Sequence, residues 1–233
     1  MDSCHKSRSW TVLGGWAVPP SVLYPVFGKD SVYIDINPLM PAFFRNGSIL
    51  PDWKEILLSL ITPQVKKPVF IAGWSTGAIL SLALSSLLMP EAMVLLSPTP
   101  SFCRRDNFRS GTRKPVLQSM RASLETDREN VLKSFYSRCG LDDFVPSVTY
   151  TLDELAAGLQ FLEEVYFSDE ELQHLSNLTS SKLIFHGAED LIVPFEAGKY
   201  LCSKVKGVFF EYEGSHSFFR TYSKEISSVI ENG

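Results

Sequence analysis

The sequence predicts an α/β fold in which a mostly parallel central sheet is flanked by helices. Short apolar runs alternate with helical segments along most of the 233 residues, a pattern typical of this fold class. Both faces of the apolar runs are hydrophobic, as expected for parallel strands that helices cover on both sides. The hydrophobic fraction of 45% supplies one sizeable core, and the length suits one domain with an insertion.

The first half of the chain supplies four predicted strands and two predicted helices. The strands stop at turn-forming residues and cover residues 10–13, 31–36, 68–72 and 92–96. One helix is predicted over 53–61, because its apolar residues have helical spacing and Pro51-Asp52 precede it. The other helix covers 79–88, shortly after the third strand.

The middle of the chain breaks this alternation, which then returns near the C-terminus. Strands are predicted at 182–185 and 207–212, and helices at 194–204 and 218–230. The middle contains no convincing strand, and its helical stretches are 116–124, 129–136 and 152–166. We therefore predict a core of residues 1–99 and 178–233, interrupted by a helical insertion, the cap, at residues 100–177.

Composition and charge exclude several classes of protein. The formal net charge of −4 gives no basis for nucleic-acid binding. No apolar run approaches the roughly 20 residues of a membrane span, and the polar residues 1–9 do not resemble a secretory signal. Cys4, Cys103, Cys139 and Cys202 lack metal-ligand spacing, which predicts free thiols in a reducing compartment. We expect a cytoplasmic protein that binds no metal, nucleic acid or membrane.

A serine between two glycines marks the seam between the third strand and the helix after it. The stretch Gly73-Trp74-Ser75-Thr76-Gly77 has the Gly-x-Ser-x-Gly pattern of a nucleophile elbow, a sharp turn that exposes the serine hydroxyl. The glycines leave out side chains that would collide with the neighbouring strand and helix. Backbone N–H groups at the start of the helix favour developing negative charge. The alternative is a glycine-flanked turn whose serine has no role.

A serine nucleophile needs a base, and four histidines are candidates. His5 lies in the polar N-terminus and His174 in the cap, whereas His186 ends a strand and is predicted to be a hydrogen-bonded structural residue. His216 lies in the loop 213–217 after the last strand. We predict that His216 is the base.

The orienting acid should follow an earlier strand and precede the histidine. Asp190 meets both conditions and holds the aspartate position of the recurrent HGxxDxxVP pattern at 186–194. Glu189 is the neighbouring rival, and a carboxylate near the start of the next helix is the structural alternative for Asp190. The order Ser75, Asp190, His216, each after a predicted strand, favours catalytic roles for all three.

The oxyanion hole of such a site needs two N–H donors. One is predicted to be the N–H of Thr76, directly after the serine. The other is predicted from the loop after the first strand, where Gly14-Gly15 leave the backbone free to turn and Trp16 N–H is the candidate.

With these motifs the chain resembles the α/β-hydrolase superfamily over nearly its whole length. Within it, the chain is similar to the esterases that hydrolyse pimeloyl-acyl-carrier-protein methyl ester in biotin synthesis. The narrower resemblance is carried by Gly15-Trp16, Gly73-Trp74-Ser75, Ser97-Pro98, Arg105-Asp106-Asn107-Phe108, Lys114-Pro115-Val116-Leu117, Phe135 and Cys139-Gly140. The few residues before the first strand imply that the usual N-terminal edge of the α/β-hydrolase fold is shortened.

The resemblance implies a serine carboxylesterase that removes the methyl group from a pimeloyl chain carried on acyl-carrier protein. It implies no metal or organic cofactor, and we expect a monomer. An apolar acyl channel is expected to be lined by Trp16, Trp74, Phe102, Phe135 and Phe161. Taken singly, each of these aromatic residues also fits a place in the core.

Charge in the cap favours an acidic carrier protein as partner. Residues 101–140 hold nine basic and four acidic side chains, whereas 141–177 hold nine acidic side chains and no lysine or arginine. A basic cap face would steer an acidic carrier protein towards the site. Its candidate residues are Arg105, Arg109, Arg113, Arg121, Arg128 and Lys133. The alternative is that the two halves of the cap neutralise each other.

Other reactions are open to the same three residues. A general short-chain carboxylesterase, a thioesterase and a carbon–carbon bond hydrolase differ in the shape of the cap, which the sequence does not give. A non-catalytic binding protein of this fold is the alternative of another class. Such proteins normally lack one of the three residues, and all three are present here.

Overall fold

The central sheet is built from six parallel strands in a computed structural model that describes residues 8–67, 69–178 and 180–232. The strands of the described part are β1 (Thr11–Leu13), β2 (Val32–Ile34), β3 (Phe44–Arg45), β4 (Ser48–Ile49), β5 (Phe70–Trp74), β6 (Ala92–Leu96), β7 (Ser181–Gly187) and β8 (Val208–Tyr212). The sheet order is β2-β1-β5-β6-β7-β8, and β3 and β4 form a separate antiparallel hairpin. The α/β fold class predicted from the sequence is confirmed. Cys4 and His5 lie outside the described residues.

Helices connect the strands and cover both faces of the sheet. They are α1 (Tyr24–Phe27), α2 (Trp53–Ile61), α3 (Thr76–Leu88), α4 (Lys114–Cys139), α5 (Leu152–Glu164), α6 (Asp169–Ser176), α7 (Phe195–Val205) and α8 (Ser223–Asn232). Short 3-10 helices lie at Pro20–Leu23, Asn37–Phe43, Thr62–Gln64 and Phe218–Arg220. In the described ranges no helix combines the length and apolar character that crossing a membrane requires.

The core lies on both sides of the central strands. β6 is buried at every residue, and the first ten residues of α3 are all buried. A helix that is buried all round needs apolar and small side chains on every face, which explains the run of alanine, leucine and serine in α3. Cys103, Cys139 and Cys202 are buried free thiols, as predicted.

The register of the sheet brings four loops to one edge. β1 ends opposite Gly73 of β5, and both β5 and β7 finish their pairing with β6 at Leu96. β8 ends opposite Gly187 of β7. The loops after β1, β5, β7 and β8 therefore meet beyond the carboxyl ends of the strands, where open α/β sheets place their binding residues.

The cap contains α4, α5 and α6. A kink at Asp127 (φ −151°, ψ 56°) divides α4 into two segments, and α4 packs on α5. These segments match the two helices predicted at 116–124 and 129–136. α6 packs against α7 and α3, so it lies on the flank of the sheet rather than over its edge. The domain boundaries at residues 100 and 177 stay a prediction.

The differences from the predicted elements are local. α6 and the β3–β4 hairpin were not predicted, because both are too short for hydrophobic periodicity to reveal them. The helix predicted at 218–230 begins with a 3-10 turn and is α-helical only from Ser223. Residues 8–10 form no strand, and β2 is the edge of the sheet beyond β1.

Two glycines allow α3 to start directly against the sheet. A Cβ atom at Gly73 would lie 2.2 Å from the carbonyl oxygen of Gly77, and one at Gly77 would lie 2.3 Å from those of Leu13 and Gly14. These contacts are with backbone atoms of β1, of the loop after it and of α3, so they cannot be relieved by a side-chain rotation. The collisions expected from the sequence are thus present in the structure.

The first prediction concerns Gly77→Ala. We expect this change to lower the free energy of unfolding by about 3 kcal/mol or more, because the methyl group must displace strand backbone. Urea unfolding followed by circular dichroism measures the loss.

Gly47→Ala is the matched control. Gly47, unlike Gly77, has a positive φ of 74°, and nothing lies within 4 Å of its Cβ position. Its cost should be limited to about 1–2 kcal/mol of backbone strain. Equal losses for the two variants would contradict the close-packing explanation.

Candidate active site

Ser75 lies in a strained turn between β5 and α3. Its backbone has φ 58° and ψ −118°, a conformation that L-residues rarely adopt. The Ser75 N–H donates to the carbonyl of Leu96 at 3.0 Å, which fixes the turn to β6. Thr76 is the first residue of α3, so its N–H has no acceptor within the helix. The turn has the geometry that the Gly-x-Ser-x-Gly pattern predicts.

Asp190 and His216 form a buried hydrogen-bonded pair. His216 Nδ1 lies 2.7 Å from Asp190 Oδ2, and both side chains are inaccessible to solvent. The other carboxylate oxygen, Oδ1, accepts the N–H groups of Ile192 and Val193, each at 2.8 Å. The loop after β7 thus holds the carboxylate, and the carboxylate orients the imidazole of the loop after β8.

A second histidine also contacts this carboxylate. His186 Nε2 lies 3.3 Å from Asp190 Oδ2 and 3.0 Å from the carbonyl oxygen of Val193. Burial alone would raise the pKa of Asp190, but the positive potential of His216 and the hydrogen bonds from both histidines lower it well below its usual value. His186 is thus a buried, hydrogen-bonded residue, as predicted, and it lies directly beside the carboxylate of Asp190.

The nitrogen of His216 that should meet the serine is Nε2. Nε2 is buried and has no hydrogen-bond partner among the described residues, so the Ser75 hydroxyl does not bond to it in this geometry. Trp74 fixes the ring, since its Nε1 donates to the His216 carbonyl at 3.0 Å and the two rings lie 5.1 Å apart. Such serine–histidine contacts commonly tighten only when substrate binds.

The rival acid Glu189 has a different partner. Its carboxylate accepts the N–H of Gly214, and its own N–H donates to the Gly214 carbonyl at 3.0 Å. Glu189 therefore ties the loop after β7 to the loop that carries His216. It makes no contact with the imidazole, which leaves Asp190 as the residue that meets the geometric requirement.

The cap fixes the histidine loop from above. The carbonyl of Cys139, at the end of α4, accepts the Ser217 N–H at 3.0 Å and the Ser215 hydroxyl at 2.9 Å. The Ser217 hydroxyl donates to the Gly140 carbonyl at 3.0 Å. A Cβ at Gly140 would lie 2.1 Å from Ser215 Oγ, so this close approach requires glycine.

A cavity of about 600 Å³ opens between the elbow and the cap. Trp16, Phe102 and Phe135 lie in its wall together with Ser75 and Thr76, as expected from the sequence. The wall also contains Met120, Val131, Leu159, Leu162 and Ile192, which were not predicted, although those on α4 and α5 follow helical spacing.

Two aromatic residues expected in the channel lie behind it. Phe161 is fully buried against Phe43 and Trp53, with ring centroids 5.8 Å and 5.1 Å apart. Trp74 packs on His216 and Phe219. Both side chains pack in the core, whereas on α5 the cavity wall is formed by Leu159 and Leu162.

The basic residues of the cap fall into two groups. Arg105 does not present a free guanidinium group: it donates to the carbonyls of Glu163 and Glu164 and stacks on Tyr166. Arg121 lies 3.8 Å from the carboxylate of Glu163. The remaining candidates are exposed and form no ion pair with described residues: Arg109, Arg113, Arg128 and Lys133.

Within residues 8–67, 69–178 and 180–232, no cluster of three or more histidine, cysteine, aspartate or glutamate side chains has the geometry of a metal site.

A model of the alpha/beta hydrolase family matches residues 14–228. The chain belongs to the alpha/beta hydrolase family. The match spans the elbow, the acid and histidine loops and the cap.

Curated relatives of the chain share the name of one type of esterase. A pimeloyl-[acyl-carrier protein] methyl ester esterase of Nitrosospira multiformis is 27% identical over 204 residues, covering 80% of this chain and 74% of the relative. The enzyme of the same name from Neisseria meningitidis is 24% identical over 222 residues, covering 85% and 70% of the two chains.

Solved structures are similar in fold at low identity. An esterase from Exiguobacterium antarcticum has a TM-score of 0.69 and 15% identity, covering 97% of this chain and 92% of its own. A hydrolase from Oleispira antarctica has a TM-score of 0.74 and 14% identity, covering 97% and 90%. These likenesses confirm the α/β-hydrolase fold.

The second prediction concerns pH. Because the folded-state pKa of Asp190 lies below its unfolded value, its ionised form stabilises the fold above about pH 4, and this contribution is lost as the pH falls further. We expect the difference in unfolding free energy between wild type and Asp190→Asn to shrink on acidification. Urea unfolding at pH 7, 4 and 3 measures it.

The control is Asp30→Asn, at an exposed carboxylate outside the site. Its stability difference from wild type should be small and nearly constant over the same range. A pH-independent difference for Asp190→Asn would contradict the assignment of Asp190 as a buried ionised group.

Proposed function

We propose that the chain is a serine carboxylesterase that hydrolyses the methyl ester of pimeloyl-acyl-carrier protein, a step of biotin precursor synthesis. The observation that carries the esterase part is the strained Ser75 turn in the cavity wall, where the preceding residue, Trp74, packs on and bonds to the His216 of the buried Asp190–His216 pair. The substrate is supported by the curated relatives, which are named pimeloyl-[acyl-carrier protein] methyl ester esterases.

The geometry suits a two-step acyl transfer. His216 Nε2 takes the proton of the Ser75 hydroxyl, and the serine oxygen attacks the ester carbonyl. Asp190, held by two backbone N–H groups, fixes the tautomer of His216 and stabilises its charged form. The N–H groups of Thr76 and Trp16 hold the oxyanion. Methanol leaves, and water then releases the free acid from the acyl-enzyme.

The cavity wall supports a substrate with an apolar and a polar part. Trp16 and Phe135, whose rings lie 4.8 Å apart, form an aromatic wall near the elbow. The face of α4 in the same cavity carries hydroxyl and amide side chains, namely Ser119, Ser123, Thr126, Asn130 and Ser134. A hydrocarbon chain that continues into an amide-bearing carrier arm would match both parts of this wall.

The test compares two esters. Wild type and Ser75→Ala are given pimeloyl-carrier-protein methyl ester and, separately, p-nitrophenyl butyrate. We expect wild type to hydrolyse both esters and Ser75→Ala to lose about 10⁴-fold or more in kcat.

The outcomes separate the parts of the proposal. Hydrolysis of the small ester alone would overturn the carrier-protein substrate and leave a general short-chain esterase. Hydrolysis of a carrier thioester in preference to the methyl ester would make the protein a thioesterase. If neither ester is cleaved, the catalytic assignment itself is wrong.

The third prediction concerns the exposed basic residues of α4. The double change Arg128→Glu/Lys133→Glu should lower kcat/KM for the carrier ester about tenfold, because it replaces attraction to an acidic carrier by repulsion. The wild-type rate on the carrier ester should also fall with added salt. The rate on p-nitrophenyl butyrate measures the chemistry without docking.

Lys66→Glu/Lys67→Glu is the matched charge control. These exposed lysines precede β5 at the amino edge of the sheet, opposite the cavity. An equal loss of carrier activity in this variant would show a net-charge effect and argue against docking on α4.

A further inference from the structure

Asn37 is a fully buried amide that the proposed mechanism does not use. It opens the 3-10 helix after β2, and none of its surface is accessible. Its side chain contacts the loop after β1 on both sides of Trp16. Nδ2 donates to the carbonyl of Gly15 at 3.2 Å, and Oδ1 accepts the N–H of Ala17 at 2.8 Å.

These two bonds determine where Trp16 N–H points. The carbonyl of Gly15 and the N–H of Trp16 belong to one planar trans peptide group, so they point in opposite directions. Because Asn37 holds the carbonyl on one side, the N–H faces the other side. Gly15 lies beside the elbow, since a Cβ on it would be 3.6 Å from Ser75 Cβ. Trp16 N–H itself bonds to no described residue.

The loop needs such a restraint because its conformation is strained. Ala17 has a φ of 56°, which costs a non-glycine residue about 1–2 kcal/mol. The N–H of Ala17 bonds to Asn37, and its carbonyl accepts the hydroxyl of Tyr136 from α4 at 3.0 Å. Without the amide, this peptide could relax and turn the Trp16 N–H away from the elbow.

Asn37 is itself held in one orientation. Asp35 Oδ1 accepts both the backbone N–H and the Nδ2 of Asn37, at 3.1 Å and 2.9 Å. Asp35 Oδ2 accepts the hydroxyl of Tyr150 at 2.8 Å. Two acceptors on one side of the amide and one donor on the other leave a single consistent assignment of its oxygen and nitrogen.

We infer that Asn37 is a positioning residue that aims the Trp16 N–H into the oxyanion hole. The inference rests on the proposed esterase function, because an oxyanion donor has meaning only if an acyl carbonyl is attacked. Asn37 does not touch the substrate: it acts through the Gly15–Trp16 peptide. It should therefore affect the stabilisation of the oxyanion more than the binding of the ester.

The test uses Asn37→Asp and Asn37→Leu with p-nitrophenyl butyrate. Asn37→Asp keeps the shape and an acceptor for Ala17 but replaces the donor to Gly15 and Asp35 with an oxygen, and Asn37→Leu removes the donor without adding a charge beside Asp35. We expect kcat to fall about 100-fold, the loss typical of one oxyanion donor, with KM within about twofold of wild type. Affinity for a trifluoromethyl ketone, whose adduct with Ser75 bears an oxyanion, should fall in parallel.

Ser31→Ala is the control for a merely structural loss. The Ser31 hydroxyl also bonds backbone groups on either side, accepting from Trp10 N–H at 3.3 Å and donating to Phe27 at 2.8 Å. It lies at the opposite end of β1. Ser31→Ala should lose thermal stability with kcat within about twofold of wild type.

Each outcome decides the inference. An Asn37 variant with kcat within about threefold of wild type, or one whose loss of kcat is accompanied by a comparable rise in KM, would overturn it while the esterase function stands. A wild type that neither hydrolyses the ester nor binds the ketone would overturn both proposals. If neither Asn37 variant folds, Tyr150→Phe decides: loss of its bond to Asp35 should lower kcat about threefold at constant KM, and an unchanged kcat refutes the inference.

Discussion

The site depends on the hydrogen bonds that compensate the buried carboxylate of Asp190. An isolated charge in the interior is expensive unless hydrogen bonds and an opposite charge compensate it. Here one oxygen takes two N–H groups from its own loop and the other takes the imidazole of His216. The loops after β7 and β8 are thus fixed by the same compensation that keeps the carboxylate ionised.

His186 completes this compensation without competing with His216. Its Nε2 contacts both the Val193 carbonyl and Asp190, so the proton of the ring lies on Nε2. Its Nδ1 faces Gly198 and has no partner among the described residues. His186 therefore adds a second contact to Asp190 and leaves the bond between Asp190 and His216 in place.

Helices of the cap also form hydrogen bonds to the loops around Ser75. The end of α4 bonds to the histidine loop through Cys139, and Tyr136 of α4 bonds to Ala17. α5 accepts the indole N–H of Trp16 at the Leu155 carbonyl, 2.9 Å away. Both loops that flank Ser75 thus have partners on cap helices. A change in the cap that shifts α4 is expected to move these loops as well as to change the shape of the cavity.

Features set by residues close together in the chain could be predicted from the sequence, whereas bonds between residues far apart in the chain could not. The strands, the turn at Ser75 and the HGxxDxxVP stretch with Asp190 are local patterns, so periodicity and short motifs could predict them. Arg105 was expected on a docking surface because its charge is visible in the sequence, whereas its bonds reach Glu163, 58 residues away.

The placement of Asn37 shows the same limit at the site itself. Its bond to Gly15 spans 22 residues, and nothing in the stretch Ile36-Asn37-Pro38 indicates that the amide will turn towards another loop. Only the pairing of β1 with β2 brings Asn37 beside the turn after β1. Because the proposed oxyanion donors are backbone groups, no side chain of the loop indicates their direction. A residue proposed to set that direction must therefore be found from the fold.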